Sequence, residues 1–135
     1  MPYQRLNGVN IYYEVTGEGH PLVLLHGFSG NLMGWTFQVP VLSSRYRVIC
    51  LDHRGHGRSE HPPLPDAYSM QLFAADIYEL LRSLGVEGCY LAGHSMGGMI
   101  ALEFALRYPN MLAALILIDT SSGEIDRELG VVLPW

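Results

Sequence analysis

A serine between two glycines, at the junction of a predicted strand and a predicted helix, is the part of this chain best suited to chemistry. Ser95 lies in the run Gly-His-Ser-Met-Gly, with Gly93 and Gly97 two positions to either side. So sharp a strand-to-helix turn forces the serine towards strained backbone angles, and side chains at the two glycine positions would collide with the turn. We therefore expect Ser95 to be the only non-glycine residue of this motif with a positive φ. Its hydroxyl then projects above the sheet as a nucleophile.

Two backbone N–H groups are predicted to lie where negative charge develops during attack on a carbonyl. Met96 opens the predicted helix, whose positive end and unpaired N–H groups suit an oxyanion. Phe28 follows His26 and Gly27 at the end of an apolar strand, the place where enzymes with such a serine turn have their second oxyanion N–H. Together with Ser95 these groups point to acyl transfer, with a substrate carbonyl as the target.

A third glycine-rich turn, Asp-His-Arg-Gly-His-Gly-Arg-Ser at 52–59, follows another apolar strand. With His-Gly-Phe at 26–28 and Gly-His-Ser-Met-Gly-Gly at 93–98, it makes the chain resemble the α/β-hydrolase superfamily, in particular its esterase, lactonase and carbon–carbon hydrolase branch. The resemblance implies a serine hydrolase acting on a carboxylic ester, a lactone or a related carbonyl compound. Ser95, where epoxide hydrolases and dehalogenases would have Asp, argues against those two chemistries.

The alternation of strands and helices predicts an α/β fold, a mostly parallel sheet with helices on both faces. The resemblance covers residues 3 to 120 and implies an α/β-hydrolase core truncated after the sixth strand. We expect residues 1–120 to form this core and residues 121–135 to begin a cap or lid, or to be a tail exchanged with a partner.

The sequence predicts a hairpin followed by strands that alternate with helices. The elements are a hairpin of strands 3–6 and 9–15 turning at Asn7-Gly8, a strand from Pro21, a helix over 32–42 interrupted near Pro40, a strand at 46–51, a helix from the N-cap Ser69 to a stop at Gly85, a strand leading to Ser95, a helix over 96–108 ended by Pro109, and a strand at 112–118, apolar as if covered on both faces.

The sequence lacks a histidine where a serine hydrolase would have its general base. The resemblance implies the triad order serine, acid, histidine, yet no histidine follows Ser95. Asp119, at the end of the sixth strand, is a possible acid. His94 is expected to face away from the hydroxyl as a packed residue of the turn, and His26 to order its own loop. The six histidines all precede Ser95: His20, His26, His53, His56, His61 and His94.

Two hypotheses follow from the missing histidine. In the first, the chain is part of a serine hydrolase, inactive alone, whose remainder is lost or is supplied by another chain. In the second, it is a catalytically silent α/β-hydrolase fragment that folds and self-associates. In either case the strand at 112–118 would be an open apolar edge, which predicts a homodimer through that edge or exchange of the tail 123–135.

The sequence gives less support to cofactor, metal or nucleic-acid binding. A dinucleotide fingerprint starting at Gly55 would need a glycine where Glu60 stands, and His53 and His56 belong to a recognised turn rather than to a metal site, so we expect no cofactor and no metal. Eight basic and thirteen acidic residues give a net charge of −5. We therefore expect a small-molecule substrate and no nucleic-acid partner.

The absence of a leader or of about 18 consecutive apolar residues predicts no membrane partner and a cytoplasmic location. Cys50 and Cys89 fall on strands that the resemblance separates by another strand, so we expect two buried thiols and no disulfide.

Overall fold

Six strands form the main sheet of the molecule. The computed structural model describes residues 2–121 and the backbone of residues 124–126 and 131–133. The strands are β1 (Tyr3–Leu6), β2 (Val9–Thr16), β3 (His20–Leu25), β4 (Tyr46–Leu51), β5 (Cys89–His94) and β6 (Leu112–Ile118). They lie in the order β1-β2-β4-β3-β5-β6. The pairs β1·β2 and β2·β4 are antiparallel, and the other neighbours are parallel. This confirms the predicted α/β class.

Helices pack on both faces of the sheet. They are α1 (Val39–Leu42), α2 (Met70–Ser83) and α3 (Met96–Arg107), with 3₁₀ turns at Leu32–Trp35, Pro65–Ala67 and Pro109–Met111. The larger hydrophobic layer joins α2 and α3 to one face, around residues such as Phe104 and Ile77. The smaller layer joins the 32–42 segment to the other face, around Leu24 and Leu32.

Local sequence explains several of these elements. Asn7 and Gly8 have φ angles of 49° and 79°, as a tight turn between antiparallel strands requires. The Ser69 side chain accepts a hydrogen bond from the Leu72 N–H and so caps α2. Gly85, with φ 73°, follows the last turn of that helix. The predicted hairpin, helix start and helix stop are all confirmed.

The segment 32–42 differs from its prediction. Instead of one interrupted helix it forms a 3₁₀ turn and, after three intervening residues, the four-residue helix α1. Pro40 lies in the first turn of α1, where its missing N–H is tolerated, but it cannot donate to the Thr36 carbonyl four residues back, so the helix does not extend back through residues 36–38. The break was predicted, but the length of regular helix was overestimated.

Strand β6 is less covered than its apolar sequence predicts. Ile116 and Leu117 are 43% and 42% exposed, although Leu115 packs against the core. The strand is the last of the six in the main sheet, and α3 packs against it from one side. Its side chains at Ile116, Leu117 and Ile118 therefore remain partly open to solvent among the described residues.

Cys50 and Cys89 lie on β4 and β5, with β3 between them. Both thiols are free and buried. Burial raises the pKa of Cys50 to about 12 and that of Cys89 to about 11, so both are neutral near pH 7. They act as small apolar side chains, as predicted.

Two short strands follow the main sheet. The backbone at Glu124–Asp126 (β7) and Val131–Leu133 (β8) forms an antiparallel pair. The prediction that residues 121–135 begin a cap or are an exchanged tail lies mostly outside the described residues and stays a prediction. In the described part of the chain, no helix has the length and apolar character needed to cross a membrane.

Candidate active site

Ser95 lies at the turn between β5 and α3 with φ 56° and ψ −120°. It is the only non-glycine residue of its motif with a positive φ, which confirms the predicted backbone. A Cβ on Gly93 would overlap the Gly97 carbonyl, and a Cβ on Gly97 would overlap the Leu25 carbonyl. The two glycines therefore let the turn close against the end of β3. Outside the motif, the described non-glycine residues with a positive φ are Asn7, Ser29 and Asp119.

The end of β6 holds the backbone of this turn. The Ser95 N–H donates to the Ile118 carbonyl at 3.0 Å. The Ser95 carbonyl accepts from the Thr120 hydroxyl at 2.6 Å and from the Gly98 N–H at 2.9 Å. Strain at Ser95 is thus offset by hydrogen bonds on both sides of the residue. Sequence analysis missed Thr120, since no local pattern marks its partner 25 positions away.

The two predicted oxyanion donors border the same turn. Phe28 lies in the loop after β3, and its side chain is 75% exposed. Gly27, next to it, approaches Ser95 so closely that a Cβ at that glycine would lie 3.3 Å from the Ser95 Cβ. Among the described residues, no hydrogen-bond partner occupies the N–H of Phe28 or of Met96. Their role as oxyanion donors stays a prediction.

A cavity of about 810 Å³ opens beside this turn. It is large enough for a small organic molecule. Trp35, Met33 and Phe28 supply apolar surface, while Asn31 and Gln38 supply amides. Ser95 itself does not line the cavity. Its neighbours do: the lining includes His26, Gly27, His94, Ile118 and Asp119.

His94 and Asp119 both reach this cavity. Asp119 follows β6 with φ 46°, and its side chain is exposed. His94 is exposed too, so its prediction as a packed residue of the turn is wrong. Because β5 ends at His94, the ring lies beyond the layers that bury the strand interiors. Whether it faces away from the Ser95 hydroxyl stays a prediction.

His26 orders its loop, as expected. Its Nδ1 is 2.7 Å from the Gly27 carbonyl, and its Nε2 accepts from the His53 N–H at 3.1 Å. The His53 Nε2 is in turn 3.1 Å from the His26 carbonyl. Burial lowers the pKa of both imidazoles, so both are neutral near pH 7.

Asp52 organises the charged turn after β4. Its carboxylate accepts from the Leu32 N–H at 2.7 Å and from the Arg58 N–H at 2.9 Å. Gly57 packs so closely against this carboxylate that a Cβ there would overlap it. The Ser59 hydroxyl donates to the Asp52 carbonyl at 2.6 Å. The turn is therefore a support for the loops around Ser95.

In the described part of the chain, no group of three or more His, Cys, Asp or Glu side chains is arranged to hold a metal ion. One ring nitrogen of His53 and one of His56 face backbone carbonyls instead. His56 Nδ1 lies 3.0 Å from the Arg54 carbonyl, and His53 bonds to the loop of His26.

The strand order, the strained serine turn and the two segments that pack beside it, the loop after β3 and the end of β6, define a class of protein. Residues 20–135 match the model of the alpha/beta hydrolase fold family, and the chain belongs to that family.

Several proteins that this chain is similar to are named as hydrolases of different kinds. Epoxide hydrolase 4 of Mus musculus is 43% identical over 115 residues, which cover 84% of this chain and 32% of the relative. The putative carbamate hydrolase RutD of Serratia proteamaculans (strain 568) is 39% identical over 81% of this chain and 42% of its own length. A solved structure described as Est816, an N-acyl homoserine lactone degrading enzyme, is 39% identical with a TM-score of 0.83, covering 89% of this chain and 46% of that one. The chain thus spans less than half the length of these relatives.

Proposed function

We propose that this chain carries the nucleophile and oxyanion hole of a serine hydrolase that acts on a carboxylic ester, a lactone or a related carbonyl compound. The observation that carries the proposal is the strained backbone of Ser95, φ 56° and ψ −120°, at the start of α3. A backbone held in so costly a geometry is typical of functional sites. It leaves the Ser95 hydroxyl at the exposed rim of the sheet.

In the proposed reaction, the Ser95 Oγ attacks the substrate carbonyl carbon as its proton passes to a base. The N–H groups of Phe28 and Met96 donate to the oxygen on which negative charge develops. Collapse of this intermediate breaks the bond to the alcohol oxygen, which takes the proton back from the base, and leaves an acyl group on Ser95. Water then releases the acid and restores the hydroxyl.

The nucleophile also bears on the choice of substrate. Relatives of this chain include proteins named epoxide hydrolase and fluoroacetate dehalogenase. A serine oxygen that opened an epoxide or displaced a halide would form an ether, which water does not cleave under mild conditions. Attack on a carbonyl forms an ester, which water does cleave. Ser95 therefore favours carbonyl substrates, in line with the lactone-degrading neighbour.

The base that accepts the Ser95 proton is proposed to come from outside this chain, since no histidine follows Ser95. Asp119 is the proposed acid, because it lies at the end of β6 beside the cavity and would orient an incoming imidazole. A longer chain or a second chain would supply that histidine. The 135 residues alone are accordingly expected to be inactive.

The test compares hydrolysis of a 4-nitrophenyl ester and a γ-lactone by the intact protein of the natural host, with any segment or chain that completes it. Ser95→Ala is expected to lower kcat by about 10³-fold or more. The matched control is Ser43→Ala, at a partly exposed serine at the end of α1, which should leave the rate unchanged. Undiminished turnover by Ser95→Ala would exclude Ser95 as the nucleophile.

A silent, self-associating hydrolase-fold chain is the second candidate. The exposed side chains of Ile116 and Leu117 on β6 favour it, because an open apolar edge invites pairing. A fluorophosphonate probe separates the two candidates. Labelling of Ser95 in the intact protein supports the hydrolase, whereas a completed assembly that never labels supports the silent chain.

A further inference from the structure

His26 and His53 bind each other's backbone across two loops that are 27 positions apart in sequence. The His26 ring accepts from the His53 N–H, and the His53 ring faces the His26 carbonyl at 3.1 Å. The two rings lie with their centroids 4.2 Å apart. The loop that carries Phe28 is thus joined to the turn after β4 by a reciprocal pair of hydrogen bonds.

These contacts determine the tautomer of His26. Its Nδ1 faces a carbonyl oxygen at 2.7 Å, and a carbonyl only accepts, so Nδ1 carries the hydrogen. Its Nε2 faces the His53 N–H, which only donates, so Nε2 is bare. A proton on Nε2 would place two donors against each other. The contact can exist only while His26 is neutral.

We propose that His26 is a positioning residue that holds the Phe28 loop through this contact, and that protonation of its Nε2 releases the loop. The neutral ring joins the loop to the turn of His53, and a second proton breaks that bond. The link to catalysis rests on the proposed role of the Phe28 N–H. The proposed release of the loop does not depend on that role.

Charged and titratable groups surround His26 from several elements. The turn after β4 contributes His53 and His56, whose ring centroids lie 4.2 and 5.2 Å from that of His26, and Asp52. Arg54 of this turn is paired with Asp76 of α2. His94 from β5 and Asp119 from the end of β6 line the same cavity as His26. Burial and His56 lower the pKa of His26 and so disfavour the extra proton, while the Gly27 carbonyl and Asp52 favour it.

The test is amide hydrogen exchange of residues 26–30 and of the His53 N–H, measured between pH 5 and pH 8 and corrected for intrinsic rates. If release takes up one proton, protection of these amides should fall about tenfold per pH unit below about pH 6.5. His26→Gln places an amide oxygen near the Nε2 position and binds no proton in this range. In that variant the pH dependence of the protection should weaken, because only the buried His53 of the contact is left to take up a proton on release.

His20→Gln is the matched control, because His20 is an exposed histidine at the opposite end of β3. It should keep the wild-type pH dependence. An equal pH dependence in His26→Gln and the wild type would overturn the proposal.

If His26→Gln fails to fold, the ¹⁵N spectrum of the wild-type imidazole decides. A ring with its hydrogen on Nδ1 at pH 8 supports the proposal, and a hydrogen on Nε2 refutes it. Neither measurement uses a substrate, so this inference and the proposed hydrolase activity can fail separately.

Discussion

Arg54 and Asp76 form a two-point ion pair in the interior of the protein. The Arg54 Nε and Nη2 donate to the two carboxylate oxygens at 2.7 and 2.8 Å, and both side chains are almost fully buried. Asn7 also donates to Asp76, at 3.0 Å, and Arg54 donates to the Ala67 carbonyl at 2.8 Å. This network joins the turn after β4 to helix α2 and to the first hairpin.

Removing one partner should therefore be costly. Asp76→Ala leaves the Arg54 guanidinium buried without its counter-charge, and we expect the free energy of unfolding to fall by about 3 to 5 kcal/mol. The matched control is Glu103→Ala, which breaks the ion pair with Arg107 on the surface of α3. That change should cost less than about 1 kcal/mol. Urea unfolding measures both, and equal losses would contradict a structural role for the buried pair.

The serine turn should tolerate no side chain at Gly93. In Gly93→Ala the new Cβ overlaps the Gly97 carbonyl, so we expect a loss of about 1 to 3 kcal/mol or more. Gly88 is a suitable control, since a Cβ there meets nothing within 4 Å. Gly88→Ala should be neutral or should stabilise the protein by up to about 1 kcal/mol. A Gly93→Ala protein as stable as wild type in thermal unfolding would argue against the tight turn.

Stability should decline on mild acidification. Burial lowers the pKa of His26 and His53 below the value of about 6.5 expected in the unfolded chain. Between the folded and unfolded pKa values the unfolded chain binds more protons, so the free energy of unfolding rises with pH in that window. Each histidine should contribute a loss of up to about 1.4 kcal/mol per pH unit as pH falls below about 6.5.

Urea titrations at pH 7.5, 6.5 and 5.5 would measure this loss. His26→Gln should reduce the slope, and His20→Gln should not. A free energy of unfolding that is constant over this range would contradict the lowered pKa values.

The isolated 135-residue chain is predicted to self-associate through β6. Leu117→Lys places a charge on the open strand, where Leu117 is 42% exposed, and should weaken association at least about tenfold. Leu106→Lys is the matched control on α3, where Leu106 is 70% exposed. Sedimentation at micromolar concentration measures both. A monomeric wild-type chain would refute pairing through this edge.

Local features of this chain were predictable from its sequence, and contacts between distant residues were not. The hairpin at Asn7-Gly8, the cap at Ser69 and the positive φ of Ser95 were all predictable, because each depends on residues within a few positions. Order in the sheet was predictable only through the resemblance to a family. The exposure of His94 was not predictable from the sequence, because it depends on what packs beyond the end of β5.

The sequence by itself determined the strand, turn and helix around Ser95 and the family to which the chain belongs. Tertiary structure alone decided which partners support that turn: Thr120 with Ser95, His53 with His26, and Asp76 with Arg54, at separations of 25, 27 and 22 positions. The physical reason is that a local motif restricts backbone angles only within itself. A hydrogen bond between distant residues forms only where the packed sheet and helices bring donor and acceptor together.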